Sequence, residues 1–460
     1  MLALPDGVVS AGELLAAAAG AGGELDAAGV EPGDRVVVAL PSSVRFAAAC
    51  LAVRLRGAVL VNVPWQWRRE LVAVAEETDA RAVLVAPERM DDAALAPLAP
   101  RVPTAGAPAA PLACSPRDVE ATAWIAYSGG TTGAPKGAVH SERTVTAIVD
   151  GFRSRYGLGP DDALLLAAPL GHAVALVYGL LLALRAGALA VLVPRWSADV
   201  ATALVARHGC TYVAAPTPFL LDVVEHAERH GAGELATLRR FLCGGAAVPH
   251  SLRERARRAL PGTETSAYYG TSECGAVVSC PPGAPLQKVL DTEGIPLPGM
   301  QVRIERGEVL VRGTQVASGY WGEDRDGRFR ADGWYATGDL GTLDEDGWLR
   351  LAGRAHDLIR RGGVDVSPVE VEDVLSAEES VREVAVLGAP DERLGARVVA
   401  VVVARDAGAP TLERLRERCR EAGLAKVKWP ERLVLVEELP LSPAGKVRKD
   451  ALAAVVREAA

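Results

Sequence analysis

The sequence predicts an α/β protein: a large N-terminal domain of parallel α/β subdomains ending in a small β-rich subdomain, then a small α+β C-terminal domain. Three observations predict it. Short apolar runs alternate with helical patterns as far as Cys243, and such alternation implies parallel sheet covered by helices. From Gly299 the pattern changes to short strands separated by Gly and Asp turns, and near Arg354 it changes again to strands mixed with charged helices. At 460 residues, 49% of them hydrophobic, the chain is too long for one core and apolar enough to build several. The expected domains are residues 1–353 and 354–460.

The elements follow in order. Residues 11–29 form an Ala-rich helix, and the turn at Glu31 to Asp34 leads into a buried-type strand from Arg35 to Leu40. Ser42 and Ser43 can cap a helix carrying Phe46, Cys50, Leu51 and Val53 along one side. Strands at 58–63 and 82–86 flank a charged helix around Arg68 to Glu77, and the Pro- and Ala-rich residues 97–117 read as a surface linker. Further strands are expected at 164–168, 188–193, 212–215 and 240–243, then in the β-rich part at 302–304, 308–311 and 347–351. The last unit has strands at 384–387, 398–403 and 432–436, with a charged helix over 412–419.

Composition excludes several classes of function. A net charge of −8 argues against a nucleic-acid-binding surface, which needs a clustered basic face. No basic region precedes an apolar core at the N-terminus, so no secretory signal is expected. The longest apolar stretch, 163–194, is broken by Pro169, His172 and Arg185 and leaves no membrane span. A soluble cytoplasmic protein is expected. The seven cysteines contain no CxxC pair, so Cys274 and Cys280 read as small buried thiols.

The residues from Tyr127 to Gly137 follow the apolar run Ala123 to Ala126 and read as a strand entering a phosphate-holding loop. Gly129, Gly130 and Gly133 free the backbone to aim successive N–H groups at one anion. Ser128, Thr131 and Thr132 add hydroxyls, and Lys136 a mobile charge. It is not the P-loop, which needs Ser or Thr directly after its lysine. Tyr268 to Glu273 is a second such stretch: an aromatic can stack on a base, Gly270 permits close approach, and a carboxylate can hold Mg²⁺. Asp339, ending Trp334-Tyr-Ala-Thr-Gly-Asp339, reads by itself as a capping or turn carboxylate. The turns at Ala215 to Pro218 and Cys243 to Ala246 follow strands at the ends where open parallel sheets bind ligands.

These stretches, with Gly353-Arg354 and the C-terminal Leu439 to Lys446, resemble in content and order the motifs of the acyl-adenylate-forming superfamily, most closely acyl- and aryl-CoA synthetases. The resemblance implies ATP, Mg²⁺ and CoA, or a carrier protein's phosphopantetheine, as cofactors. It implies that a small to medium carboxylic acid is activated as its adenylate and passed to a thiol. It further implies that the C-terminal domain is mobile.

By the same resemblance Ser128, Gly129, Thr131, Thr132, Gly133, Lys136, Gly244, Gly245, Ala246, Tyr269, Gly270, Thr271, Ser272, Asp339 and Arg354 surround the nucleotide. Glu273 holds the metal, and Lys446 bridges the carboxylate and the α-phosphate. His172, at the junction of the acid and its reacting carboxylate, joins Lys446 and Glu273 as a catalytic residue, chiefly for positioning. His172, Ala173, Thr217, Tyr268 and Ala276 border the acid, with room for an aryl, alicyclic or medium-chain body. No Asp follows His172 to receive a substrate amino group, which weighs against amino acids. Gly362 and Gly363 line the thiol entry, and His356 stands where the family has a hinge Asp or Lys. Alternatives are loading of a free-standing carrier protein, activation of another oxyanion or capture by another nucleophile such as in nitrite-dependent N–N bond formation, and an inactive nucleotide-binding scaffold. Either a monomer or a homodimer is compatible.

Overall fold

The computed structural model describes residues 1–89, 91–102, 118–128, 135–322, 327–405, 408–442 and 446–458. Four sheets organise it. A nine-stranded sheet runs in the order 295–296, 275–279, 264–271, 240–243, 212–215, 163–166, 189–192, 2–4, 7–9. Its neighbours are parallel from Glu264–Thr271 through to Leu2–Leu4, and antiparallel at both edges. A five-stranded sheet, in the order 82–85, 35–39, 59–62, 122–128, 136–141, is parallel except for its last hairpin. The β-rich part is a four-stranded antiparallel sheet of Met300–Glu305, Glu308–Gly313, Tyr335–Leu343 and Leu349–Arg354. The fourth sheet is built on the long pair Val381–Asp391 and Gly395–Ala404, with Arg432–Val436 parallel to the latter. The layered α/β architecture thus matches expectation.

Local chemistry accounts for the elements. Helix Ala11–Ala27 starts at a capping box in which Glu13 N–H donates to Ser10 Oγ and Ser10 N–H to Glu13 Oε2. It stops two residues before the expected end. Strands 35–39, 59–62 and 82–85 are almost wholly buried Val, Leu and Ala, as strands covered on both faces must be. Two features were not foreseen. Residues 2–4 and 7–9 form a hairpin that joins the nine-stranded sheet through Ala190, whose N–H donates to Met1 O at 3.0 Å; strands of three residues are too short to show a period. The expected linker begins as a 3-10 helix over Ala93–Arg101 that buries Leu95 and Leu98, and residues 103–117 lie outside the described residues.

The two larger parts of the chain touch through specific polar contacts. His250 N–H donates to Asp373 Oδ1 at 2.7 Å, and the hydroxyls of Ser251 and Ser376 lie 2.9 Å apart. Arg382 reaches back to Glu225 at 3.3 Å and Asp222 at 3.4 Å. The six described cysteines are all buried, and burial pushes the Cys274 and Cys280 thiols up to about 12, so they are the inert core thiols expected. Among the described residues no helix is long and apolar enough to cross a membrane.

Candidate functional site

Strand Glu264–Thr271 turns back on Gly275–Ser279 with a register shift between Tyr269 and Gly270. The turn demands glycine: a Cβ on Gly270 would lie 2.0 Å from Gly275 O. Because side chains alternate along a strand, Tyr268 and Tyr269 face opposite sides of the sheet. The turn itself is tied down. Thr271 Oγ1 accepts the Glu273 N–H, the Glu273 carbonyl accepts Ala317 N–H at 2.7 Å, and the Ser272 carbonyl lies 2.8 Å from His140 Nε2. Glu273 Oε1 accepts the Tyr320 hydroxyl at 2.8 Å.

On the other side of that strand, Tyr269 donates its hydroxyl to Asp339 Oδ2 at 2.7 Å and Arg354 Nε donates to Oδ1 at 3.0 Å. Asp339 and Arg354 are register partners on adjacent antiparallel strands, which is why residues 15 positions apart meet. Asp339 is only 6% exposed. A buried carboxylate with both oxygens engaged by donors is fixed in direction, as recognition of a diol requires.

Lys446 comes from the C-terminal part yet lies at this cleft. A Cβ on Gly245 would meet Lys446 Cε at 3.7 Å. Gly245 has φ +83°, a conformation that suits glycine, in the turn after strand Arg240–Cys243. The lysine as a whole is exposed, and its ammonium group is subject to the charges of the site. Burial, then the Arg354 charge, lower its pKa, while Asp339 and Glu273 oppose them. One cation delivered from the C-terminal part therefore feels three charged residues of the site at once.

The phosphate loop is rooted on the antiparallel pair Thr122–Ser128 and Lys136–Ser141, with Ser128 and Lys136 as register partners. Gly129, Thr131, Thr132 and Gly133 lie outside the described residues. Lys136 Nζ sits 5.5 Å from the centre of the Tyr320 ring, so the loop's lysine and Glu273 share one tyrosine. The Glu273 carboxylate suits Mg²⁺ in the mode where one protein carboxylate joins phosphate oxygens. Among the described residues no cluster of three or more His, Cys, Asp and Glu side chains could hold a metal by itself.

Among the residues expected to border the acid, half-buried His172 precedes helix Ala173–Ala175, its N–H bonded to Pro169 O at 3.0 Å. Thr217 Oγ1 donates to Ala247 O at 3.1 Å, joining the two strand-end turns. Ala276 is buried, and its N–H donates to the Tyr178 hydroxyl. Tyr268 is also buried, its ring against Gly244. Gly362 and Gly363 form an exposed hairpin turn with φ of +55° and +83°, where added Cβ atoms would meet only Leu394 or open space. The structure therefore does not pack them against the residues expected to surround a nucleotide. His356 Nε2 lies 3.4 Å from Asp357, which also binds Lys449 at 2.8 Å.

Sequence reasoning missed Tyr320, His140 and Tyr178. Tyr320 follows Gly319 in an exposed-looking Ser-Gly-Tyr-Trp stretch, and only that unusual aromatic pair signalled it. His140 is fully buried and neutral, its ring stacked on Trp124 at 4.9 Å, with burial pushing its pKa down to about 4. Trp124 donates to Asn62 at 2.6 Å, and Asn62 donates to the Gly171 carbonyl at 2.9 Å. A continuous buried chain thus links the Ser272-Glu273 turn to the residue before His172. Tyr178 lies in a π-helical turn, Leu176–Leu181, a distortion found disproportionately at functional sites.

Comparison with known proteins agrees with this geometry. The family described as "AMP-binding enzyme" matches residues 5–321, and "AMP-binding enzyme C-terminal domain" matches 370–446. The chain is 31% identical to the medium-chain fatty-acid–CoA ligase of Escherichia coli (strain K12), over 92% of this chain and 81% of that protein. The ATP-bound structure of MatB from Rhodopseudomonas palustris superposes with a TM-score of 0.90 at 27% identity, covering 100% of this chain and 96% of the other. The apo structure of the same protein gives 0.78, at 26% identity over the same shares. The amide bond synthetase McbA from Marinactinospora thermotolerans gives 0.87 at 30% identity, covering 99% of this chain and 96% of its own.

Proposed function

The chain belongs to the AMP-binding enzyme family, and from that membership we propose an ATP-dependent, AMP-forming ligase that joins a small carboxylic acid to the thiol of CoA. In the first step a carboxylate oxygen bonds to the α-phosphorus of ATP and the bond to pyrophosphate breaks. In the second, the thiol sulfur bonds to the acyl carbon, AMP leaves with the bridging oxygen, and the thiol proton passes to solvent. Asp339, with Arg354 beside it, orients the ribose. Glu273 would hold Mg²⁺, which when bound would neutralise phosphate charge. Lys446 stabilises the charge that builds on the α-phosphoryl oxygens, as a preorganised cation in a partly enclosed site can. Lys136 and the loop before it receive the outer phosphates, and His172 positions the acid's carboxylate.

The single observation that carries this reading is Lys446 lying against Gly245, with Glu273, Asp339 and Arg354 as the charges around its tip. In that arrangement the parts needed for adenylation are assembled, while the Gly362-Gly363 turn is not at the cleft. Rotation of a C-terminal domain starting at Arg354, about His356, then exchanges one for the other. ATP and CoA are cytoplasmic metabolites, which supports work in the cytoplasm. The test is ATP–pyrophosphate exchange over a panel of acids, followed by mass detection of acyl-CoA. Exchange with acyl-CoA formation supports the whole reading; exchange without it retains adenylation and turns the acceptor to a carrier protein. Likeness to an amide bond synthetase favours an amine as the second reading, and an amide product formed from an added amine would support it.

A further inference from the structure

The acid side of the cleft holds an unusual concentration of aromatic rings. Of eight tyrosines in the chain, Tyr156, Tyr178, Tyr212 and Tyr268 gather with Phe152 in one buried group. Phe152 meets Tyr178 at 4.4 Å and Tyr268 edge-on at 5.3 Å, and Tyr178 meets Tyr268 at 5.7 Å. Tyr268 is 5% exposed, and its hydroxyl has no hydrogen-bond partner among the described residues. A buried hydroxyl left unpaired is destabilising, a cost that phenylalanine at the same place would avoid. An uncompensated phenol beside a reaction centre is the mark of a group whose partner arrives with a ligand.

Its position limits that ligand. A Cβ on Gly244 would strike the far end of the Tyr268 ring, with Cζ at 2.4 Å and the two Cε atoms at 2.5 and 2.6 Å. Lys446 Cε lies against Gly245, and consecutive Cα atoms are about 3.8 Å apart. The phenol end and the lysine stem therefore abut neighbouring residues of one turn. An acid whose carboxylate is held at Lys446 meets Tyr268 after only a few atoms. The rings nearest the phenol, Phe152 and Tyr178, carry no charge, and a second carboxylate would be buried there without a cation.

Resting on the adenylation reading above, we propose that Tyr268 is a specificity-determining residue that closes the acid pocket and selects a short acid with a neutral hydrogen-bonding group, a hydroxyl or carbonyl, near its carboxylate. Within the aryl, alicyclic and medium-chain range this excludes extended alkyl chains.

The test is ATP–pyrophosphate exchange by the full chain and by Tyr268→Phe and Tyr268→Ala. The acids are 3-hydroxybutanoate against 3-methylbutanoate, 3-hydroxybenzoate against 3-methylbenzoate, malonate, and octanoate. The unaltered protein should prefer a hydroxylated acid over its methyl isostere by at least about tenfold in kcat/KM, because a site built to pair a hydroxyl rejects the analogue lacking it. Tyr268→Phe should fold with an unchanged or higher Tm, lose most of that preference through KM, and keep its KM for ATP. Tyr268→Ala should gain octanoate. Preference for octanoate or malonate in the unaltered protein, or an isostere preference that survives Tyr268→Phe, would overturn the proposal. Absence of exchange with every acid would instead remove the ligase reading on which it rests.

Discussion

Tyr320 donates its hydroxyl to Glu273 Oε1 at 2.8 Å although 47 residues separate them. That bond aims a carboxylate on the turn that the Ser272 carbonyl anchors to His140. Tyr320→Phe removes it without changing shape. A hydrogen bond to a charged group is worth about 1.5 kcal/mol or more, so the KM for MgATP in pyrophosphate exchange should rise about tenfold. A titration of exchange rate against MgATP at fixed acid checks this, and an unchanged KM would show that Glu273 needs no such support.

Lys446→Ala should lower adenylate formation by about 10²- to 10³-fold, the usual cost of losing one preorganised charge-stabilising group. Thiolysis of a supplied acyl-adenylate should stay measurable, because the proposed role of the lysine is confined to the first step. Equal loss in both half-reactions would remove that division of labour.

Arg382 bridges the two parts of the chain through Glu225 and Asp222 in the same arrangement that brings Lys446 to Gly245. Arg382→Ala should cost the first half-reaction about threefold, in line with about 0.5–1 kcal/mol for partly exposed ion pairs. The second half-reaction should be unchanged or faster. Single-turnover measurements of each step distinguish these outcomes.

His140 supplies a pH prediction with a definite sign. Its folded pKa, pushed down to about 4 by burial, lies below the ordinary value of 6.5. Between those values the unfolded chain binds a proton that the folded chain does not, so stability falls as pH drops from 6.5 towards 4. The loss is about 1.4 kcal/mol per pH unit, or roughly 2 kcal/mol by pH 5. His140→Gln, which keeps a donor for the Ser272 carbonyl, should flatten this limb when urea midpoints at pH 7 and pH 5 are compared. Parallel shifts in both proteins would mean that other groups set the acid sensitivity.

Much of this was legible because it is local. Gly270, Asp339 and the Lys446 segment each sit in a stretch whose residue types name a chemistry, and the buried strands announce themselves as unbroken Val, Leu and Ala. What stayed hidden depends on pairing across the chain. Tyr320 is an ordinary loop tyrosine until Glu273 folds against it. His140 reads as a lone histidine until Trp124 and Ser272 close over it. Residues 173–186 read as a plain apolar stretch, and only the backbone reveals the π-helical turn that brings Tyr178 onto Ala276. The unpaired phenol of Tyr268 is a property of packing, invisible in the letters.

The hairpin at residues 2–9 has a consequence for synthesis. Leu2 and Ala3 are buried by pairing with Ala190 and Val191, so during synthesis they wait for nearly two hundred further residues before their neighbour exists. Contacts so distant along the chain form late and slowly. Throughout translation of the intervening helices and strands, the leading Leu-Ala-Leu stretch travels uncovered, and it settles only once Leu189–Leu192 has emerged. A fusion partner placed ahead of Met1 would ride on this late-pairing hairpin, directly beside the Ala190 bond.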